Sequence, residues 1–594
     1  QAYVTWEAKV GARATRVDLV ASAESGEYSD STRPTLGTLP GQGLPVLAFH
    51  VTETVGSAGV LREGGSVTEG INLPQGLSES ALSASLNLDV SPSLAASMTD
   101  GLTYLNDYEY LCMEQTVSRF LPNLISLEAL KLAGKDAGEL RKALDEQVQP
   151  ALQRIISNQN GRGGWGLWPG SESQPTTTAY VILGLVEAGK AGYSVPANTL
   201  EQGLTYLEVN LPESYFRNEI WQNNQAAFMI YALAEGGRPN GSKVTALFTN
   251  RDHLDIYAKA LLMQAMQLVD GKDERVQVLL SEISSAAAKS AAGTWWNEKA
   301  VDYWNWNTDV RTTAIVLNAL IQVDPKSALI ADGIRWLMKH RDGNHWYSTQ
   351  ETAWSLMALT NWLTLSGEFE TNYSFAIGLN GELLVSKQAE AAHLTESTSL
   401  KLDVEKLLAN ATNYLVLTHG TGPGVLYYTA YMDYVLPVKD IQALDQGIML
   451  SQQYFSLNDL KTPISEVTRG DLVQVRLTLV VPESLHYVVI DNPLPAGLEA
   501  VDSSLNTSQQ VPSVYQPQDY DRYGWGWWYF YYKQIYDEKV VMSADYLPAG
   551  TYTINYLARA STAGVFHVLP ATAKEFYFPD VAGRSAGAGF TVKP

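Results

Sequence analysis

Residues 174–185 read QPTTTAYVILGL, and the spacing within them decides the fold. Thr178 is followed by Ile182 four positions on and Leu185 seven positions on, which sets all three on one stripe of a helix. The figure returns as Ala226, Ile230 and Leu233, as Thr313, Leu317 and Leu320, and as Thr352, Leu356 and Leu359. The copies begin 48, 87 and 39 residues apart, the middle interval being nearly two units. A helical hairpin repeated about every 40 to 48 residues fits this period. Aromatic, Gly-rich loops precede several copies: GGWGLWPG at 163–170, TWWNEKAVDYWNWN at 294–307 and GNHWYSTQ at 343–350. A single hairpin cannot bury its stripe, whereas hairpins closed into a ring, an α/α toroid, leave no end exposed.

On either side the period changes from helical to two-residue. Residues 1 to about 95 alternate apolar and polar in short runs such as VTWEAKV and ALSASLNLDV, separated by Gly, Pro and Ser. The helical signal holds over 96–370, and strands return in NYSFAIGLNGELLV and GVLYYTAYMDYVLP. The expected class is multidomain α + β. The helical ring at 96–370 interrupts one β-sandwich whose halves are 44–95 and 371–440. Residues 1–43 are expected to be the last strands of a preceding domain, and 441–594 a further sandwich.

The formal charge of −22 opposes nucleic-acid binding, which needs clustered Lys and Arg. One cysteine excludes an intrachain disulfide, and eight histidines without H-x-x-x-H or H-x-H spacing make a zinc site unexpected. No metal and no cofactor is expected. No apolar run reaches the roughly 18 residues of a spanning helix. The chain opens on QAYVTW, without Met or signal, and is expected to be a mature form or an excised fragment.

The lone thiol lies in YEYLCMEQTVSRF, residues 108–120, with Gln115 three positions after Cys112. Three readings stand. Cys112 is a small buried hydrophobe, or a catalytic thiol whose base comes from elsewhere in the fold, or one half of a thioester. The last explains the glutamine: at i and i+3 two side chains meet on one face of a turn. A thiolate there attacks the amide carbon, expels ammonia and leaves a reactive acyl group. Amides at a helix N-terminus would stabilise that thiolate. Glu114 either supports the turn or is a solvated first-turn carboxylate.

YLCMEQTVSRFLPNL resembles the C-x-E-Q signature of the alpha-2-macroglobulin and complement thioester family, in its bacterial branch because Leu111 and Met113 replace glycines. GGWGLWPGSESQPTTTAY and HWYSTQETAWSLMAL resemble segments of that family's toroid. GVLYYTAYMDYVLP resembles the end of its interrupted CUB domain, and VRLTLVVPESLHYVVIDNPLPAGLEAV its terminal macroglobulin-like sandwich. The resemblance implies that Cys112 and Gln115 form the thioester and that Tyr108 shields it. Phe576 stands where bacterial relatives place a shielding Met, with Tyr577 beside it; ordinary packing is the alternative for both aromatics. In members that esterify hydroxyls, a toroid His attacks first. Thr178 falls at that position by ungapped matching, which implies direct reaction with amines.

The resemblance further implies a protease inhibitor rather than an enzyme. Attacking proteases would be its partners, trapped through their Lys side chains, in the periplasm or outside the cell. Any membrane anchor would lie in a part of the protein not included in this sequence. Two alternatives remain: a binding member whose thioester never forms, and a toroid terpene cyclase. QNGRGGW at 159–165 fits the cyclase repeat, but no D-x-D-D or D-D-x-x-D motif is present. The aromatic run YDRYGWGWWYFYYKQIYDEKV, 520–540, reads as strand-paired aromatics of a hairpin, or else as a contact surface.

Overall fold

The computed structural model describes residues 16–26, 28–32, 44–45, 50–73, 83–108, 110–132, 138–215, 219–290, 293–342, 345–366, 371–390, 393, 396–403, 406–408, 411–435, 438, 441–502 and 524–594. Most of the expected 1–43 segment and the start of the aromatic run, 520–523, lie outside them. The chain divides into two compact units, one within 53–433 and the other built chiefly on 434–594.

In the first unit the helices are α1 (Leu94–Asp107), α2 (Met113–Ser118), α3 (Leu121–Leu132), α4 (Gly138–Asn158), α5 (Pro175–Lys190), α6 (Ala197–Asn210) and α7 (Ile220–Glu235). They continue as α8 (Gly241–Thr249), α9 (Ile256–Val269), α10 (Arg275–Ser285), α11 (Asp309–Val323), α12 (Ala328–Lys339) and α13 (Thr349–Ser366). Helices α3, α5, α7, α9, α11 and α13 each pack on the next, and α13 packs back on α3, so an inner ring closes. Helices α1, α4, α6, α8, α10 and α12 pack against its members as an outer tier, and the short, buried α2 packs on α5 and α13. Each of the four repeated stripes lies on an inner helix. The interval of 87 hides α9, a further inner helix without the Thr-Ala pair and with Gln264 seven positions after Tyr257, which still buries Tyr257, Leu261 and Leu262 completely or nearly so. One departure from continuous helix is a short ribbon, Ala288–Ser290 paired with Gly293–Trp295.

Three of the aromatic loops are fastened in the same way. The Thr178 hydroxyl accepts Trp165 N–H at 3.0 Å, Thr313 accepts Trp296 N–H at 3.1 Å, and Thr352 accepts Trp346 N–H at 3.1 Å. Each Trp then sends its indole N–H back to the preceding outer helix or its end: Trp165 to the Ile155 carbonyl at 2.7 Å, Trp296 to Ile283 at 2.7 Å, Trp346 to Leu337 at 2.9 Å. Loop, outer helix and inner helix are thereby joined through one buried indole. At the α7 copy the Thr is replaced by Ala226. Space around the first indole is tight, because a Cβ on Gly203 would stand 2.7 Å from both the Trp165 ring and Ile182. Gly203→Ala is expected to cost about 1–3 kcal/mol through overpacking, read from urea unfolding.

The ring is inserted in a sandwich. One sheet has the order Glu382–Glu390, Asn372–Leu379, Asn413–His419, Ser66–Ile71. The other has Thr398–Asp403, Ser83–Ser91, Leu426–Val435, His50–Leu61. Both draw strands from before and after the helices. Asn372–Leu379 alternates exposed and buried positions along much of its length, the signature of one packed face. The sheets are joined by Lys387 Nζ to Thr398 Oγ1 at 3.1 Å.

The second unit packs a six-stranded antiparallel sheet and a five-stranded one around Val475, Leu477, Val488, Ile490, Val540, Met542 and Ala558. The described part of the aromatic run splits. Tyr532–Ile535 pairs with Lys539–Leu547, as a hairpin should. Trp525, Trp528 and Tyr531, in and around a turn opened by Gly524 and Gly526 at positive φ, are 58%, 43% and 50% exposed.

Candidate functional site

Cys112 is the residue before α2, with φ −70° and ψ 173°, and its neighbours make it an unusual helix cap. Gln115 N–H points at Cys112 Sγ at 3.5 Å, while Gln115 Oε1 accepts Cys112 N–H at 3.1 Å. This is a capping box in which thiol and amide replace hydroxyl and carboxylate. The two side chains are thus turned toward one another on one face, as the i, i+3 spacing requires. Gln115 Nε2 is buried without a hydrogen-bond partner. Every residue of α2 is buried.

The strap before Cys112 is tied down on both sides. Arg154 of α4 donates to the Leu111 carbonyl at 2.5 Å, Arg119 donates to the Tyr108 carbonyl, and Met113 N–H donates to Leu167 O at 2.7 Å. Tyr108 stands edge-on between Tyr104, at 5.5 Å, and Tyr110, at 5.9 Å. Tyr104 in turn stacks on His345 at 3.6 Å. The expected shielding residue therefore belongs to an aromatic row that reaches the loop before α13. Phe576 and Tyr577 are buried residues of the second unit, where Phe576 N–H donates to Tyr487 O at 3.0 Å and Tyr577 meets the Tyr487 ring at 5.5 Å.

Glu114 is fully buried, which removes the solvated alternative. Its carboxylate accepts Ser118 Oγ at 2.6 Å, Thr349 Oγ1 at 2.9 and 3.0 Å, and Gln350 Nε2 at 2.9 Å. Ser118 also meets the Tyr180 hydroxyl at 2.9 Å. The Gln350 carbonyl accepts the guanidinium of Arg311, wholly buried on α11, at 3.2 Å. A cation and a carboxylate are thus linked through one amide inside the ring. Thr349, Gln350 and Arg311 carry no local signal of this role, since residues 114 and 350 are brought together by ring closure alone, whereas Ser118 lies at the local i, i+4 spacing from Glu114.

The amides expected to stabilise a thiolate act in that direction and are outweighed. Burial pushes the Cys112 thiol well up, and the Glu114 charge adds to it. The backbone amides of Gln115 and Glu114 and the Arg154 charge pull the other way without prevailing. Desolvation of a thiolate outweighs two amides. Thr178 holds the Trp165 backbone, a packing role it shares with Thr313 and Thr352. Among the described residues no cluster of His, Cys, Asp and Glu is placed to hold a metal, and no helix is long and apolar enough to cross a membrane.

A family model described as the A-macroglobulin TED domain matches residues 84–229 and 242–362, and one described as the bacterial alpha-2-macroglobulin MG10 domain matches 447–580. The chain belongs to the alpha-2-macroglobulin family. Among its macroglobulin relatives, the Nostoc alpha-2-macroglobulin homolog is 23% identical over 466 residues, covering 74% of this chain and 23% of the relative. The Escherichia coli alpha-2-macroglobulin is 24% identical over 509 residues, covering 82% and 28%. The chain thus spans about a quarter of the length of these curated relatives. In fold it is similar to native E. coli alpha-2-macroglobulin from domain MG7 to the C-terminus, with TM-score 0.69, 18% identity, and 97% and 94% of the two chains covered. Salmonella alpha-2-macroglobulin reacted with methylamine gives TM-score 0.69 at 19% identity, covering 97% and 38%. The macroglobulin family leaves the cyclase reading without support.

Proposed function

We propose that this chain carries the reactive part of a protease trap of the alpha-2-macroglobulin type. Cys112 and Gln115 form an internal thioester, and a Lys amine of an attacking protease opens it, leaving the protease acylated by residue 115. The observation that carries this reading is the mutual capping of Cys112 and Gln115, with the amide to be expelled buried and unpartnered. In such a geometry the intramolecular step gains an effective concentration of about 10⁵–10⁸ M. The bond is used once, so the protein is an inhibitor and not an enzyme.

Two features bear on its control. Burial that disfavours the Cys112 thiolate makes it a poor leaving group, so the thioester is inert while enclosed and reacts once the site is exposed. Tyr108 is the shield on the ring, and the resemblance gives Phe576 and Tyr577 a shielding role as well. With Thr178 in place of an imidazole, the incoming amine attacks directly. The names CUB and macroglobulin-like apply, on this reading, to the sandwich at 44–95 and 371–440 and to the 441–594 unit. The proposed location is periplasmic or extracellular.

Intact-mass spectrometry tests this. The protein is expected about 17 Da below its sequence mass from loss of ammonia, with Cys112 blind to thiol reagents until methylamine adds about 31 Da and frees it. Cys112→Ala is expected at its full mass with no methylamine uptake. A wild-type protein at full mass with a titratable thiol would identify the member whose thioester never forms.

A further inference from the structure

We propose that Glu114 is the proton shuttle that closes the Cys112–Gln115 bond, and that the last inner helix of the ring sets it in position. The inference rests on the thioester reading above. Cys112 Sγ lies 4.0 Å from Glu114 Oε2, the outer limit of an S–H to oxygen contact. The two carboxylate oxygens are unequally engaged. Oε1 accepts Ser118, Thr349 and Gln350, whereas Oε2 accepts Thr349 and faces the sulfur. Gln115 Oε1 already accepts Cys112 N–H, so the carbonyl under attack is polarised before the reaction begins.

The step balances within these groups. Glu114 Oε2 takes the Cys112 proton as Sγ bonds to Gln115 Cδ, and the electron pair of the carbonyl moves to Oε1, where the Cys112 N–H stabilises it. As the carbonyl re-forms, the Cδ–Nε2 bond breaks and Glu114 returns the proton to Nε2, which leaves as ammonia. Glu114 ends as the carboxylate it was. A raised thiol makes such a base necessary, because little thiolate forms unaided. By microscopic reversibility the same carboxylate assists an amine that opens the thioester.

Two of the donors that fix Glu114, Thr349 and Gln350, come from 235 and 236 residues further on, and Gln350 brings in the buried Arg311 charge. The shuttle is therefore complete only after α13 has docked, and bond formation is coupled to closure of the ring.

The test starts from protein opened with ammonia, which restores the Cys112 thiol and the Gln115 amide. After the ammonia is removed, return of the mass deficit is timed across pH. Glu114→Gln is expected to slow the return on the order of 10²-fold and to flatten its pH dependence, with Glu114→Asp recovering part of the rate. Gln350→Ala, which keeps the carboxylate and cuts its link to Arg311, is expected to displace the pH profile. Equal rates and profiles for wild type and Glu114→Gln would overturn the proposal. If Glu114→Gln loses its near-ultraviolet circular dichroism, Gln350→Ala decides: a displaced profile supports the shuttle and an unchanged one overturns it. A wild-type protein that never shows the deficit is a separate outcome and removes the thioester reading itself.

Discussion

Trp346→Ala is expected to lower the unfolding free energy by about 3–5 kcal/mol, read from urea denaturation followed by helical circular dichroism. The indole is almost wholly buried and serves three elements at once. Its ring fills the space between outer and inner helices, its N–H satisfies Leu337 O at the end of α12, and its own backbone is gripped by Thr352 on α13. Truncation leaves a cavity and an unsatisfied carbonyl together. Trp165→Ala and Trp296→Ala should fall in the same range, since each occupies the equivalent place in another hairpin. Thr352→Val should cost less, about 1–2 kcal/mol, because it removes only the hydroxyl. If Trp346→Ala were no worse than Thr352→Val, the buried indole would not be what joins the hairpins. Trp346 also sits beside His345 and three residues before Thr349, so its loss should disturb the site as well as the scaffold.

The second large effect concerns reactivity. Tyr108→Ala is expected to accelerate methylamine labelling of residue 115 by roughly tenfold to a hundredfold. Tyr108 makes two edge-on ring contacts, each worth about 0.5–1.5 kcal/mol beyond area burial. Removing both lowers the cost of uncovering the thioester by roughly 1–3 kcal/mol, and each 1.4 kcal/mol is a factor of ten. Tyr108→Phe keeps both ring contacts and should label at nearly the wild-type rate. Equal labelling by wild type and Tyr108→Ala would refute the shielding role. His345→Ala, which removes the stack under Tyr104, gives an intermediate rate if the aromatic row acts as one body.

What could be read in the sequence follows the range of the interactions involved. Four of the six inner helices were legible because their buried stripe recurs at 0, +4 and +7, a purely local figure; α3 gave no such copy, and α9 escaped because it lacks the Thr-Ala pair and follows Tyr257 and Leu261 with Gln264 at +7. The aromatic loops were visible as loops, yet the grip of Thr178, Thr313 and Thr352 on them was not, since it depends on tertiary contact. Cys112 and Gln115 were legible together because a turn alone brings i and i+3 into reach. Glu114 was legible only as turn support, because the donors Thr349 and Gln350 come from α13, with Arg311 of α11 behind Gln350. The amides at the helix start do favour the thiolate, a local property, but the desolvation that outweighs them belongs to the folded whole and was not legible.

The interrupted sandwich has a consequence for biosynthesis. Strand Ser83–Ser91 finds one of its neighbours in Thr398–Asp403, with Val90 opposite Thr398, some 300 residues later. At the ribosome's pace of about 5–20 residues per second, the early strand waits on the order of 15–60 s for that partner. Its hydrogen-bonding edge stays open through the interval, while the helices emerging behind it can already assemble. The order of manufacture is then warhead first and housing last, and a chaperone that covers nascent strand edges would act in that window.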